Sequence, residues 1–335
     1  MKSTPKFDYT TGSQAMCSRN KEIVMKDAFL RTHRELINVL AFCWAEFPHN
    51  NKFENDSRSN FRKSEASSSS YQSLEQAFQD FQWDKKCFVA STIALLKSQS
   101  RIQESIKTGS QGELFADLCG VLRWGGVLTT AIAGPLLDKR EHGQLIEYFS
   151  WISSVKPFDA SAEDLNVLQT IPVECGDLLS NSGLTKIYSV LGSSCVIYDD
   201  RVSAALGKII TWYLGDRELP DELKLVMSTK RSRNPSTCVQ KFPTKIWANT
   251  EKKAIQQVVK HAESNVKANW LIGAAVQKLR RENEHYEKVL RYVSTAVQDD
   301  IDDREIDDLW LAMRIFESSL FMAGYSVNSV RSCDG

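Results

Sequence analysis

Apolar residues return every three or four positions along most of this 335-residue chain, and strand-like alternation is scarce. That spacing is the helical period, so the fold class reads as mainly α, arranged as two packed helical subdomains. Lys21 to Phe47 carries Ile23, Val24, Phe29, Leu30, Leu36, Leu40 and Trp44 in this pattern and predicts one helix. Residues 71–108 and 112–123 continue it until Trp124-Gly125-Gly126, because paired glycines are poor in a helix interior. Leu128 to Leu137 contains Gly134-Pro135 and predicts two short pieces around a turn. Glu141 to Val155 predicts an amphipathic helix with Leu145, Ile146, Phe149 and Ile152 on one side. Ser161 with Asp164 three residues later resembles a capping box and predicts the start of another helix. Three more are predicted over 249–261, 266–292 and 306–324.

The same pass divides the chain into a flexible N-terminus at 1–20, an N-terminal helical part at 21–110, a central helical region at 111–215 and a C-terminal helical region at 216–335. Within the second of these, residues 49–70 are rich in Asn, Ser and charge and are expected to form a flexible loop.

Lys plus Arg equals Asp plus Glu at 42 each, so the net charge is zero and any nucleic-acid surface must be a local patch. The loop at 224–243 supplies one candidate, with Lys230, Arg231, Arg233 and Lys241 between prolines. The eight cysteines are scattered without a CxxC pair, the five histidines are unpaired in sequence, and no Gly-rich nucleotide loop occurs. No metal and no cofactor are therefore expected. No apolar run approaches the roughly 18 residues of a membrane span, so a cytoplasmic monomer with no membrane partner is the expectation.

The segment 178–210, LLSNSGLTKIYSVLGSSCVIYDDRVSAALGKII, concentrates the candidate chemistry. Ser180, Asn181, Ser182 and Gly183 form a turn that opens a short helix, whose N–H groups are expected to point outward as an anion site. Cys195 to Tyr198 is an apolar connector, and Asp199 caps the helix that begins near Arg201, with Val202, Ala205, Leu206 and Ile209 as its buried stripe. A capping Asp faces the positive end of the helix dipole and stays ionised. A plain cap is the commoner role for such a residue. Asp200 exchanges roles with it if the register shifts by one.

Hairpin, second helix, apolar connector and the YDDRV helix start at 198–202 resemble the helix-hairpin-helix superfamily of DNA glycosylases. The run FESSLFMAGY at 316–325 is similar to a bacterial branch associated with phage defence and modified cytosine. The resemblance implies double-stranded DNA as partner, a base flipped out of the stack, and Asp199 as the carboxylate that stabilises positive charge on the sugar. It also implies DNA contacts at Ser180, Asn181, Ser182, Gly183, Thr185 and Lys186, with Trp124 and Tyr198 as base-pocket candidates.

The family hairpin usually has two glycines, and this one has Gly183 alone. Matching Gly183 to the second glycine puts Thr185 where bifunctional members carry a nucleophilic lysine. Lys186 is then turned away by about 100°. A monofunctional hydrolase is the resulting expectation, and the resemblance implies a modified or damaged base as its target, with glucosylated hydroxymethylcytosine in phage DNA among the candidates. A non-catalytic DNA-binding module or an all-α protein-interaction module are the competing classes.

If the basic loop meets phosphates, log affinity for duplex DNA falls linearly with log salt. Neutralising Lys230, Arg231 and Arg233 together then reduces that slope by about 3, measured by a salt titration of binding.

Overall fold

A computed structural model of the chain describes residues 25–48, 51, 53–54, 70–223, 251–301 and 305–324. The architecture is mainly helical, as the period requires. Among the described residues the helices are α1 (Lys26–Thr32), α2 (Arg34–Phe42), α3 (Leu74–Gln79), α4 (Phe88–Thr108), α5 (Gln111–Trp124), α6 (Thr130–Glu141), α7 (Leu145–Val155), α8 (Leu184–Leu191), α9 (Asp200–Leu214), α10 (Glu251–Glu282), α11 (Glu284–Gln298) and α12 (Asp308–Gly324). One antiparallel pair joins β1 (Phe53–Glu54) to β2 (Ser70–Tyr71). None of the described helices is long and apolar enough to cross a membrane. Residues 1–20 and the basic loop with Lys230, Arg231, Arg233 and Lys241 lie outside the described residues, as does most of the expected loop at 49–70.

Several helix boundaries differ from expectation for local reasons. The first helix is two, broken at His33, whose buried ring packs edge-on against Phe29 at 4.6 Å. The pattern across 71–108 is interrupted at 80–87, where Asp84 and Lys85 adopt φ of 50° and 60°. Conversely, Gly134-Pro135 does not split α6. Pro135 lies early in that helix and forfeits only the bond to the carbonyl of Ala131, an exposed residue. Ser161 starts no α-helix; Asp164 instead accepts the Asn166 amide at 2.7 Å and opens a 3-10 turn over Asn166–Gln169. The expected joint between 261 and 266 is absent, because α10 runs through it, and the chain breaks at Asn283, which caps α11 by accepting the Tyr286 amide.

Among the described residues the buried apolar side chains, Ile197 aside, form one connected cluster. At its centre lies α12, where every residue from Trp310 to Gly324 is buried, packed on α9, α3, α10 and α11. A helix buried all round leaves nowhere polar to face, so its charged residues need internal partners. Arg314 and Glu317 provide them for each other.

That pairing matters because the non-helical connector from Gly192 to Tyr198 is also buried, and its amides need acceptors. Asp159 accepts from Ser193 N at 2.8 Å, Ser193 Oγ at 2.9 Å and Ser194 N at 3.1 Å. Asn269 of α10 accepts from Val196 N at 2.7 Å while donating to the Phe158 carbonyl at 2.8 Å. Glu317 of α12 accepts from Ile197 N at 3.1 Å. Gly192 is required by the close approach of Asp159, since a Cβ there would lie 2.1 Å from Oδ1.

Replacing Asn269 by Ala leaves two buried backbone groups without partners and is expected to cost about 3 kcal/mol of stability. Removing the half-buried cap in Asn283→Ala is expected to cost about 1 kcal/mol. Denaturant unfolding of the two variants measures the difference.

Candidate active site

The connector delivers Asp199 to the N-terminus of α9. Its Oδ1 accepts from Arg201 N at 3.1 Å and Val202 N at 3.2 Å, the capping geometry the sequence implied. Its Oδ2 lies 3.4 Å from Lys186 Nζ. Burial pushes the Asp199 carboxyl up, but Lys186, Arg201 and the two capping amides together outweigh it and hold the group below the usual carboxylate range. Asp199 is therefore an ionised carboxylate at neutral pH. Asp200 is the first residue of α9 and half-buried.

Lys186 corrects the expectation built on ideal helix rotation. It is the third residue of α8, and its stem runs past the α5 terminus, where a Cβ on Gly125 would fall 2.2 Å from Lys186 Cδ. The missing side chain at Gly125 gives the lysine its channel, and the ammonium reaches Asp199 instead of facing away. With side-chain exposures of 4% and 13%, Lys186 and Asp199 form a nearly buried ion pair. A buried lysine of this kind is not placed to meet a phosphate on the surface.

The hairpin turn is likewise closed upon itself. Asn181 Oδ1 accepts from Gly183 N at 2.9 Å and Leu184 N at 3.0 Å, Thr185 N bonds Asn181 O, and Lys186 N bonds Gly183 O. The amides expected to face outward are thus occupied internally, because Asn181 forms its own turn around them. Ile132 of α6 covers Gly183, where a Cβ would meet Ile132 Cδ1 at 2.6 Å. Ser180 is buried with its Oγ 2.7 Å from His261 Nδ1, and burial pushes the His261 ring down to about 4, so the ring is neutral. Thr185 is fully buried and donates to the Ser182 carbonyl. Of the six expected hairpin contacts, Asn181 and Ser182 alone keep partial exposure.

The two aromatic candidates part company. Tyr198 is fully buried in the core, and its hydroxyl meets no partner among the described residues, so it lines no open pocket. Trp124 is half-buried and immediately precedes Gly125, which touches Lys186. Beside it stand residues the sequence reading passed over. Trp83 donates its indole N–H to the Trp124 carbonyl at 2.7 Å, and its ring lies 5.4 Å from Phe321, edge to face. The Arg201 guanidinium lies over Phe321 at 4.6 Å and 5.9 Å from the Trp83 ring. The visible signal for Trp83 was the polar run Asp84-Lys85-Lys86 beside it, which interrupts the helical pattern. For Glu317 and Arg314 it was a pair of charges three apart inside the apolar stretch 309–324.

Among the described residues no three His, Cys, Asp or Glu side chains converge in a way that would hold a metal ion. Comparison with protein-family models, with curated proteins and with solved structures found no match to this chain.

Breaking a buried ion pair by removing one partner strands the other charge. Asp199→Asn and Lys186→Met are each expected to cost about 3–5 kcal/mol, and the double variant much less than their sum. Denaturant unfolding of all four proteins measures the coupling, and additive costs would show that the pair is not an energetic unit.

Proposed function

We propose that this chain is a DNA glycosylase that cleaves the N-glycosidic bond of a modified or damaged base extruded from duplex DNA, with glucosylated hydroxymethylcytosine of phage DNA among the candidate bases. One observation carries the reading: an ionised carboxylate and a lysine amine, 3.4 Å apart, close the space between the hairpin helix α8 and the following helix α9. This is the pair of groups that glycosidic chemistry on a sugar C1′ needs.

Departure of the base builds positive charge on the sugar, and the Asp199 carboxylate stabilises it. With the extruded nucleotide seated between α8 and α9, the Lys186 ammonium gives its proton to the departing base as the electron pair of the C1′–N bond leaves with it, and Asp199 stays ionised. The freed amine nitrogen then bonds to the positively charged C1′. Opening of the sugar ring at O4′, with one proton of the nitrogen passing to O4′, gives a protonated imine to Lys186. The geometry of Lys186 removes the reason for expecting a purely hydrolytic enzyme, so excision through an imine to Lys186 is the form proposed.

A second reading is favoured by the internal saturation of the hairpin amides and the low exposure of the pair. In that reading the segment is packing alone, within a non-catalytic DNA-binding or protein-interaction module.

Incubation with duplexes bearing oxidised, alkylated or glucosylated bases, followed by alkali, is expected to break strands at abasic sites, and Asp199→Asn to slow this about 10²-fold or more. Full activity in both Asp199→Asn and Lys186→Met would falsify the mechanism. Duplex affinity without product on any base would favour the second reading.

A further inference from the structure

We propose that one face of α12 gauges the separation of Lys186 and Asp199, with Glu317 as the positioning residue at its middle; the assignment rests on the glycosylase reading of that pair. Trp310, Glu317 and Gly324 follow one another at intervals of seven residues along α12, and all three are buried. Seven residues fall about 20° short of two full turns, so the three positions share one face, each roughly 10 Å from the next.

Each of them meets a different piece of the site, in chain order. The Trp310 indole N–H donates to the Ser189 carbonyl at 2.8 Å. That carbonyl belongs to the last turn of α8, where the Ser193 amide turns to Asp159 rather than back along the helix, so the indole caps it. Ser189 Oγ in turn donates to the Lys186 carbonyl at 2.9 Å, which ties α12 to α8 one turn from the lysine. Glu317 accepts the Ile197 amide at 3.1 Å, two residues before Asp199. Two residues after Asp199, Gly324 approaches the Arg201 carbonyl so closely that a Cβ would collide with it.

One helix face therefore touches the helix that carries the lysine and the backbone on both sides of the carboxylate. The capping amides of Arg201 and Val202 orient Asp199, but they belong to α9 and do not place it against α8. Asp159 and Asn269 hold the connector as far as Val196, and Glu317 holds the next amide along, from the same face on which Trp310 holds α8. A carboxylate can serve as that acceptor inside a fully buried helix because Arg314, one turn earlier, pairs with it. Misplacing a reacting group by about 1 Å costs on the order of 10²-fold in rate, so the 3.4 Å gap between Lys186 and Asp199 depends on a shared frame of this kind.

The test uses the full chain in two double variants, both carrying Arg314→Met so that neither strands a buried charge. Glu317→Gln as the second change keeps an oxygen for the Ile197 amide, and Glu317→Met removes it at similar volume. Single-turnover excision is measured on whichever duplex of an oxidised, alkylated and glucosylated panel the wild type cuts fastest, and binding on a duplex carrying a tetrahydrofuran abasic analogue. The Glu317→Met form is expected to cut roughly 10- to 100-fold more slowly than the Glu317→Gln form, with tetrahydrofuran-duplex binding in the two differing less than about threefold. Equal rates in the two forms, or a loss of binding that matches the loss of rate, overturns the assignment. Trp310→Phe removes the donor to Ser189 and keeps a ring; it is expected to slow excision about 10-fold at unchanged binding, and unchanged excision there overturns the gauge whether or not the Glu317→Met form folds. A wild type inert on every base overturns the glycosylase reading beneath it, and this inference with it.

Discussion

The requirement that buried, non-helical backbone find hydrogen-bond acceptors governs the arrangement of this protein. Between α8 and α9 the chain crosses the core without helical bonds of its own. Asp159, Asn269 and Glu317 meet that need from three distant parts of the sequence. Each acceptor fixes one stretch of the connector, so the residue that follows, Asp199, arrives at the head of α9 with little freedom. The buried helix α12 is tied to the same constraint, since Glu317 can lie within it only because Arg314 lies beside it.

Opposite environments then separate two of the carboxylates beside this connector, Asp199 and Glu317. Burial pushes both up. Around Asp199 the charges of Lys186 and Arg201 and the two helix amides reverse that effect, whereas around Glu317 burial prevails over Arg314 and the Ile197 amide. Close approach also depends on missing side chains. Gly125 admits Lys186, Gly192 admits Asp159, and Gly324 lets the end of α12 meet the start of α9, where a Cβ would lie 2.1 Å from the Arg201 carbonyl.

What the sequence made legible was local. The helical period foretold the fold class, and a cap followed by Arg-Val foretold both the start of α9 and the ionised state of Asp199. What escaped depended on contacts between remote residues. Rotation along an ideal helix turned Lys186 away because it took no account of the space left by Gly125. The outward-facing hairpin amides were a fair inference from the turn, but Asn181 takes two of them for its own side chain. Tyr198 sits beside Asp199 in sequence, and the alternation of an extended connector carries its ring to the opposite, buried side. Trp83 was hidden in a stretch that otherwise reads as helix, until the left-handed pair Asp84-Lys85 breaks it.

The proposed account stands or falls on whether the Lys186 amine reaches a sugar C1′. Borohydride reduction of the protein mixed with duplex DNA carrying a pre-formed abasic site, followed by peptide mapping, addresses this directly. The account predicts a covalent protein–DNA adduct on Lys186 that is lost in Lys186→Met. An adduct at another residue, or none with the folded wild-type protein, contradicts it.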